Sequence, residues 1–370
     1  MAITANAGLL GIGLQNDGLK DGTITTWYRH RAVGIDLSVM DDVRTGPPEI
    51  GGIPTPTMPY KAGYVVGGGA TIYPRIESTL GWWLLSLFGA STKTDNKDID
   101  DTSVTGCYKH VFKFFTQQAF VPYIGLRKLI PHDTAASELG EDYKNCKLVG
   151  LTLNFPNDGP ISARFDAMGM DFTLVEDPMT ATWTFSNTYE DWQSIPIATA
   201  QAAGVGGYVK FTPSGESEVT LPVVAASATL ANVPLDVRQE RVYGSPKPAD
   251  VTILSRVATY DLLVKWDNPD LYQQCLTGVA AGTAWSSTPL TGKVKIMAQT
   301  PSVMGTAPLN IPYKIRISSE SVLLSQVGGI ALASNQAVML RFTGTAIAPS
   351  SGEYCQIEMH NKVATAYALP

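Results

Sequence analysis

Charge is scarce in this chain. Only 16% of its 370 residues are Asp, Glu, Lys or Arg, against roughly a quarter in an ordinary soluble domain. The 27 cations and 33 anions leave a net charge of −6, and the cations form no block. The usual electrostatic footprint of a nucleic-acid binder is therefore missing, which argues against tight DNA binding but not against a surface that DNA must pass without sticking. Cysteine is also rare. Cys107, Cys146, Cys275 and Cys355 are too few and too far apart for a disulfide framework, and they read as reduced, buried residues of a protein made in a cytosol. Met1 to Gly18 carries no basic stretch ahead of an apolar run, so no signal peptide is expected. No apolar run approaches transmembrane length, so no membrane insertion is expected.

The motifs of catalysis are missing as well. There is no Gly-x-Ser-x-Gly elbow, no His-Glu-x-x-His and no P-loop. Gly11-Ile12-Gly13 lacks the third glycine and the preceding strand of a dinucleotide site. Cys107-x-x-His110, with His132 and Cys146 downstream, has zinc-binding atoms, but the second pair has the wrong spacing, and the expectation is four structural residues. Asp95, Asp98, Asp100 and Asp101 lack the glycine and glutamate of a calcium loop, so a solvated acidic loop over Ser91–Gly106 is expected. The four histidines are scattered, and no acid, base and nucleophile fall together in the chain. The expectation is a non-enzyme with no cofactor and no metal.

What the sequence does have is turn chemistry and alternation. Hydrophobic residues reach 44%, enough for a sizeable core, alongside 34 Gly and 24 Pro. In Lys147–Phe155, Val149, Leu151, Leu153 and Phe155 share a face. Asn157-Asp158-Gly159-Pro160 turns the chain, and Ile161, Ala163 and Phe165 align on the return, which predicts a β-hairpin. Pro47 to Gly69 is too rich in Pro and Gly for helix and reads as an extended loop or irregular edge strand. Two short helices stand out. Leu80, Trp83, Leu84, Leu87 and Phe88 follow the i, i+3, i+4, i+7, i+8 spacing of one helical face, with Ser78 or Thr79 as cap and Gly89 as stop. Asn268 and Pro269 open a second helix with apolar Leu271, Tyr272, Cys275 and Leu276, stopped by Gly278.

The second half of the chain echoes the first. Each helix follows an alternating run and precedes more of them. Val338-Met339-Leu340-Arg341-Phe342 mirrors Ile161-Ser162-Ala163-Arg164-Phe165, and Asp42-Val43-Arg44 is echoed by Asp236-Val237-Arg238, with offsets that drift by loop-sized amounts. The reading is a mainly β chain of two tandem β-sandwich or barrel-like units, each with a short flanking α-helix. Residues 1–34 form an N-terminal arm and edge strand, 35–197 unit 1, 198–215 an Ala/Gly-rich linker, and 216–370 unit 2. In the arm, Trp27, Tyr28 and Arg29 are candidates for contacting a neighbouring subunit.

The order of these features resembles that of bacteriophage tail tube proteins of the long, non-contractile type. A glycine-rich start leads to a Pro/Gly segment, then to Leu80-Gly81-Trp82-Trp83-Leu84-Leu85-Ser86-Leu87-Phe88-Gly89 and an acidic stretch. Gly106-Cys107-Tyr108-Lys109-His110-Val111-Phe112, the Lys147–Ala167 hairpin and Ala225-Ala226-Ser227-Ala228-Thr229-Leu230-Ala231-Asn232 come after these. The resemblance implies units that join into rings, rings that stack into a hollow tube, and inner strands that pair across subunits. It implies a virion tail component assembled in the host cytoplasm. Its lumen would hold tape-measure protein and genomic DNA in turn, without sequence-specific binding, and its ends would meet tail terminator and tail tip proteins. Most such proteins carry one unit per chain and form hexameric rings; a doubled chain would close a pseudo-sixfold ring as a trimer. Thr92, Asp95, Asp98, Asp100 and Asp101 are candidates for contacts between stacked rings. Competing readings are another self-assembling virion or secretion-tube protein, such as a tail terminator or decoration, and a carbohydrate-active β-sandwich. The last would need aromatics lining a groove, whereas here they fall mostly at core spacings.

Overall fold

The computed structural model describes residues 8–47, 50, 52, 55, 57–77, 79–114, 120–133, 137–189, 191–197, 206–236, 238–266, 269–328, 330 and 337–370. The chain is mainly β. Its first half runs β1 (Leu9–Leu14), β2 (Trp27–His30), β3 (Ala32–Ile35), β4 (Ser38–Gly46), β5 (Thr57–Ile72), α1 (Thr79–Phe88), β6 (Ser91–Lys97), β7 (Ser103–Phe114), β8 (Ile124–Ile130), β9 (Leu139–Phe155), β10 (Ser162–Gly169), β11 (Asp171–Glu176) and a single turn, α2 (Pro178–Ala181). Its second half runs β12 (Tyr208–Pro213), β13 (Val219–Thr220), β14 (Val223–Pro234), β15 (Ile253–Lys265), α3 (Asp270–Thr277), β16 (Leu290–Val303), β17 (Pro312–Val327), β18 (Met339–Ala346) and β19 (Cys355–Asn361).

The predicted hairpin is β9–β10. Leu151 pairs with Phe165 and Leu153 with Ala163, and all four are buried on one face. The alternation read in the sequence is thus the alternation of core and outer face. On its other edge the same stretch of β9 pairs with β14, with Leu151 opposite Leu230 and Thr152 opposite Thr229. The ladder continues without a break as β4-β5-β10-β9-β14-β15-β18-β17, every neighbour antiparallel.

Strand order in the two halves corresponds. The first contains β1-β8-β9-β10-β5-β4, and the second β12-β16-β17-β18-β15-β14. β11 pairs with the first part of β9, as β19 does with the first part of β17. One helix follows β5 and the other follows β15. β10 corresponds to β18, so Arg164-Phe165 and Arg341-Phe342 occupy matching places. The Asp-Val-Arg echo does not survive this matching. Asp42 lies within β4, whereas Asp236 lies beyond the end of β14, and Val237 lies outside the described residues.

α1 is buried on nearly every side. Trp83 stacks on Phe165 with ring centroids 4.9 Å apart, and Phe88 packs against Phe112 and Phe114 of β7. Gly81 makes room for a ring: a Cβ there would lie 2.1 Å from Tyr367. Gly89, at φ 84°, ends the helix in the left-handed conformation, its N–H donating to Leu85 O at 2.8 Å. Ser78 lies outside the described residues, and Thr79, the other candidate cap, is already helical. In α3, Pro269 precedes the first helical residue and Gly278 at φ 77° stops it, while Asn268 lies outside the described residues. Leu271, Tyr272 and Cys275 are only half-buried, and Leu276 is exposed.

Three expectations need correction, and one open alternative is decided. Leu9–Leu14 is no loose arm; it is a fully buried strand between β2 and β8. Its glycines allow close packing, since a Cβ on Gly13 would lie 2.5 Å from Ile24 and one on Gly11 2.8 Å from Phe185. In the Pro47–Gly69 segment the irregular-strand alternative holds for residues 57–69, which lie in the 16-residue strand β5; it pairs with β4 through two register shifts, and from Val66 onward also with β10 and β3. Residues 208–213, placed in the linker, form β12 against β16; the linker's residues 198–205 lie outside the described residues. Ser91–Gly106 is not a solvated loop. It forms β6, a turn and the start of β7, and β7 pairs with β19 of the second half.

Candidate assembly surfaces

The acidic turn shows why that loop reading failed. Asp98 is buried, and its Oδ1 accepts the N–H groups of Asp100 and Thr102 at 2.9 and 2.7 Å, which folds the turn. Asp100 accepts from Lys314 at 2.9 Å and Arg316 at 3.0 Å, both on β17. Asp101 accepts from Lys109 at 3.0 Å, and Lys109 also pairs with buried Glu358 of β19. Three of the five candidate inter-ring residues therefore fold the hairpin tip or fasten it within the chain. Thr92 and Asp95 are exposed on β6, and Lys93 pairs with Asp95 at 2.7 Å.

Trp27, Tyr28 and Arg29 also have partners in their own chain. The Arg127 guanidinium lies 3.7 Å over the Trp27 ring. Tyr28 stacks on Trp82 at 5.0 Å. Arg29 donates its backbone N–H to Asn187 Oδ1 at 2.9 Å, and its head lies 4.5 Å over Tyr189.

The possible zinc residues sit in different settings. Buried His110 contacts Asn361 Oδ1 and Val363 O, both at 3.1 Å, and burial pushes its pKa down to about 4. Burial lifts the Cys107 thiol to about 12, which keeps it protonated. Among the described residues no three His, Cys, Asp or Glu side chains gather to hold a metal ion. Also among them, no helix is long and apolar enough to cross a membrane.

Two larger features had no signal in any single motif. The first is a pair of incompletely paired strand edges. Among the described residues β4 pairs along one edge only, with β5. Among the described residues, β17 beyond Leu324 pairs only with β18. These edges terminate the eight-strand ladder at opposite ends. Exposed apolar side chains lie on the same strands: Met40 and Val43 on β4, Leu323 and Val327 on β17. Unpaired edges of this kind are templates for another strand.

The second feature is the outer face of the ladder, opposite the helices. Near the β9–β14 seam it carries small and hydroxylated groups: Thr152 and Thr229, whose hydroxyls are 3.3 Å apart, with Ser227, Thr259 and Thr343 nearby. Arg164 and Arg341, two described arginines on this face, both meet carboxylates. Arg164 donates to Asp166 at 2.9 Å and to Asp36 at 2.8 Å, and this bond to Arg164 holds the Asp36 carboxyl below its usual range. Arg341 donates Nε–H to Asp261 at 2.9 Å. Lys265 stands on this face at the end of β15.

Two edges at the ends of one long antiparallel ladder, with a core on one face and small polar groups near the seam on the other, fit a structural β protein suited to lateral pairing. The family model for phage tail tube protein matches residues 43–346, and the chain belongs to that family. Its role is structural, as a component of a phage tail tube and so of the virion tail. No curated protein matches the chain.

Proposed function

We propose that this chain is the repeating subunit of a long, non-contractile tail. In this reading two tandem units per chain, flanking the seam between β9 and β14, let three copies close a pseudo-sixfold ring. Rings assembled in the host cytoplasm stack into a hollow tube through which the genome enters the host. The tape-measure protein occupies the bore first and DNA later, and terminator and tip proteins meet the tube's ends. Exposed Thr92 and Asp95 of β6 are placed between stacked rings. The family match supports the tube role, and a catalytic role has no comparable support.

The observation that carries the ring is the seam inside the chain. β9 corresponds to β17, and β14 to β4. Phe165 pairs with Leu151 and Ala70, as Phe342 pairs with Gln326 and Leu262. Along the next ladder, Leu230 faces Ala258 and Val39 faces Val66. Leu151 opposite Leu230 thus becomes Gln326 of one copy opposite Val39 of the next. Thr152 opposite Thr229 becomes Val327 opposite Ser38. The contact is head-to-tail, and such contacts close into rings when the rotation permits.

Cysteine pairs test this directly. Facing residues in an antiparallel ladder lie within disulfide reach, at roughly 4.5–5.5 Å between Cα atoms. Tubes of a Ser38→Cys, Val327→Cys chain should oxidise to closed species of three chains. Closed species of six chains would remove the doubling and keep the tube. Tubes that form normally but never cross-link would remove this edge pairing.

A further inference from the structure

We infer that Asp261, together with Asp36 and Asp166, keeps the arginines of the ladder's outer face from gripping nucleic-acid phosphates. This rests on the proposed tube, with the ladder's outer face taken as the wall of its bore, and it assigns the carboxylates a role in passage in addition to folding.

The arginines hold matching places. Arg164 on β10 precedes buried Phe165, and Arg341 on β18 precedes buried Phe342. The carboxylates that meet them come from different places. In the first half they are Asp166, two residues along the same strand, and Asp36, from the β3–β4 turn. In the second half the carboxylate is Asp261 of the neighbouring strand β15. Matching Leu262 with Ala70 puts Asp261 where the first half has Gly69. The cation repeats while the source of the anion differs, so the pairing is not a copied side effect of the strand pattern.

The first pair is also built into the backbone. Gly69 donates its N–H to Asp36 Oδ1 at 2.6 Å. A Cβ on Gly69 would lie 2.8 Å from Asp166 Oδ1 and 2.2 Å from Phe165 O, so glycine there keeps space for the carboxylate. The second pair lines a shallow depression with Asn154 and Ser227, next to the seam. An arginine fork binds carboxylate and phosphate with the same geometry. A fork already held by a carboxylate offers phosphate little, whereas a freed one adds a contact and releases a counterion.

The test uses the full chain below its assembly concentration and a fluorescein-labelled DNA duplex, read by anisotropy. Asp261→Asn keeps the side chain's shape and removes its charge. It should tighten binding roughly tenfold at 50 mM salt and steepen the salt dependence by about one counterion. Adding Arg341→Gln should abolish the gain. Asp158→Asn, at the exposed β9–β10 turn, makes the same change in net charge and should have a much smaller effect. If Asp261→Asn and Asp158→Asn bind alike, or if Arg341→Gln leaves the gain intact, the inference is overturned. A Thr343→Cys chain tests the bore reading separately, since this thiol should react with a bulky maleimide in free chains and be shielded in tubes. Tighter DNA binding with Thr343→Cys still reactive in tubes would keep the charge pairing and refute its placement in the bore.

Discussion

The two halves share a strand order but differ in how fully they are covered. In the first half α1 is enclosed, and much of its cover comes from the second. Asn232 of β14 donates to Leu87 O at 3.1 Å and Leu148 O at 3.0 Å, and Tyr367 of the C-terminal segment packs edge-on against Trp82. β7 crosses over to pair with β19. In the second half α3 keeps a half-bare apolar side beside a groove lined by Phe211, Leu221, Trp266 and Tyr272. The first half is thus completed by the second. In the proposed ring the next copy does the same for the second half.

The comparison can be broken at three points. Trp83→Ala should cost about 3–5 kcal/mol, because it empties a closed core, while Leu271→Ala should cost well under half as much. Denaturant unfolding of the free chain measures both, and equal losses would mean that α3 is as well supported as α1. Asn232→Ala should cost about 1–3 kcal/mol by leaving two buried carbonyls without their donor. The same change at Asn154, an exposed residue of β9, should be nearly neutral.

The smallest effect concerns pH. His110 ties β7 to the C-terminal segment, and burial lowers its pKa from 6.5 to about 4. The unfolded chain therefore takes up this proton first as pH falls. The stability tied to neutral His110 is complete above pH 6.5 and is lost progressively down to about pH 4. His110→Gln should flatten the decline between pH 6 and 5 by about 1 kcal/mol. An unchanged slope would show that His110 is not neutral in the fold. His30 and His360, also depressed by burial, to about 3 and about 4, add to the same slope.

Much of this was legible in the chain because it was local. Alternation and turn chemistry found β9–β10, helical spacing found both helices, and the Arg-Phe echo marked β10 and β18 as counterparts. What stayed hidden was non-local. Asp98, Asp100 and Asp101 looked solvated because Lys314 and Arg316, which hold Asp100, lie in the other half. The glycines of β1 looked flexible because Phe185, which fills the space over Gly11, is distant in sequence. The seam depends on which edges meet, and no single stretch of sequence records that.

The covalent link across the β9–β14 seam has a consequence for concentration. Bringing separate molecules together costs each association several kcal/mol of translational and rotational freedom. A ring of three linked pairs assembles from half as many independent bodies as a ring of six, and every second seam has formed before two chains collide. Nucleation of such a ring should therefore begin at lower protein levels, with a weaker dependence on dilution, than in a tube built from single units.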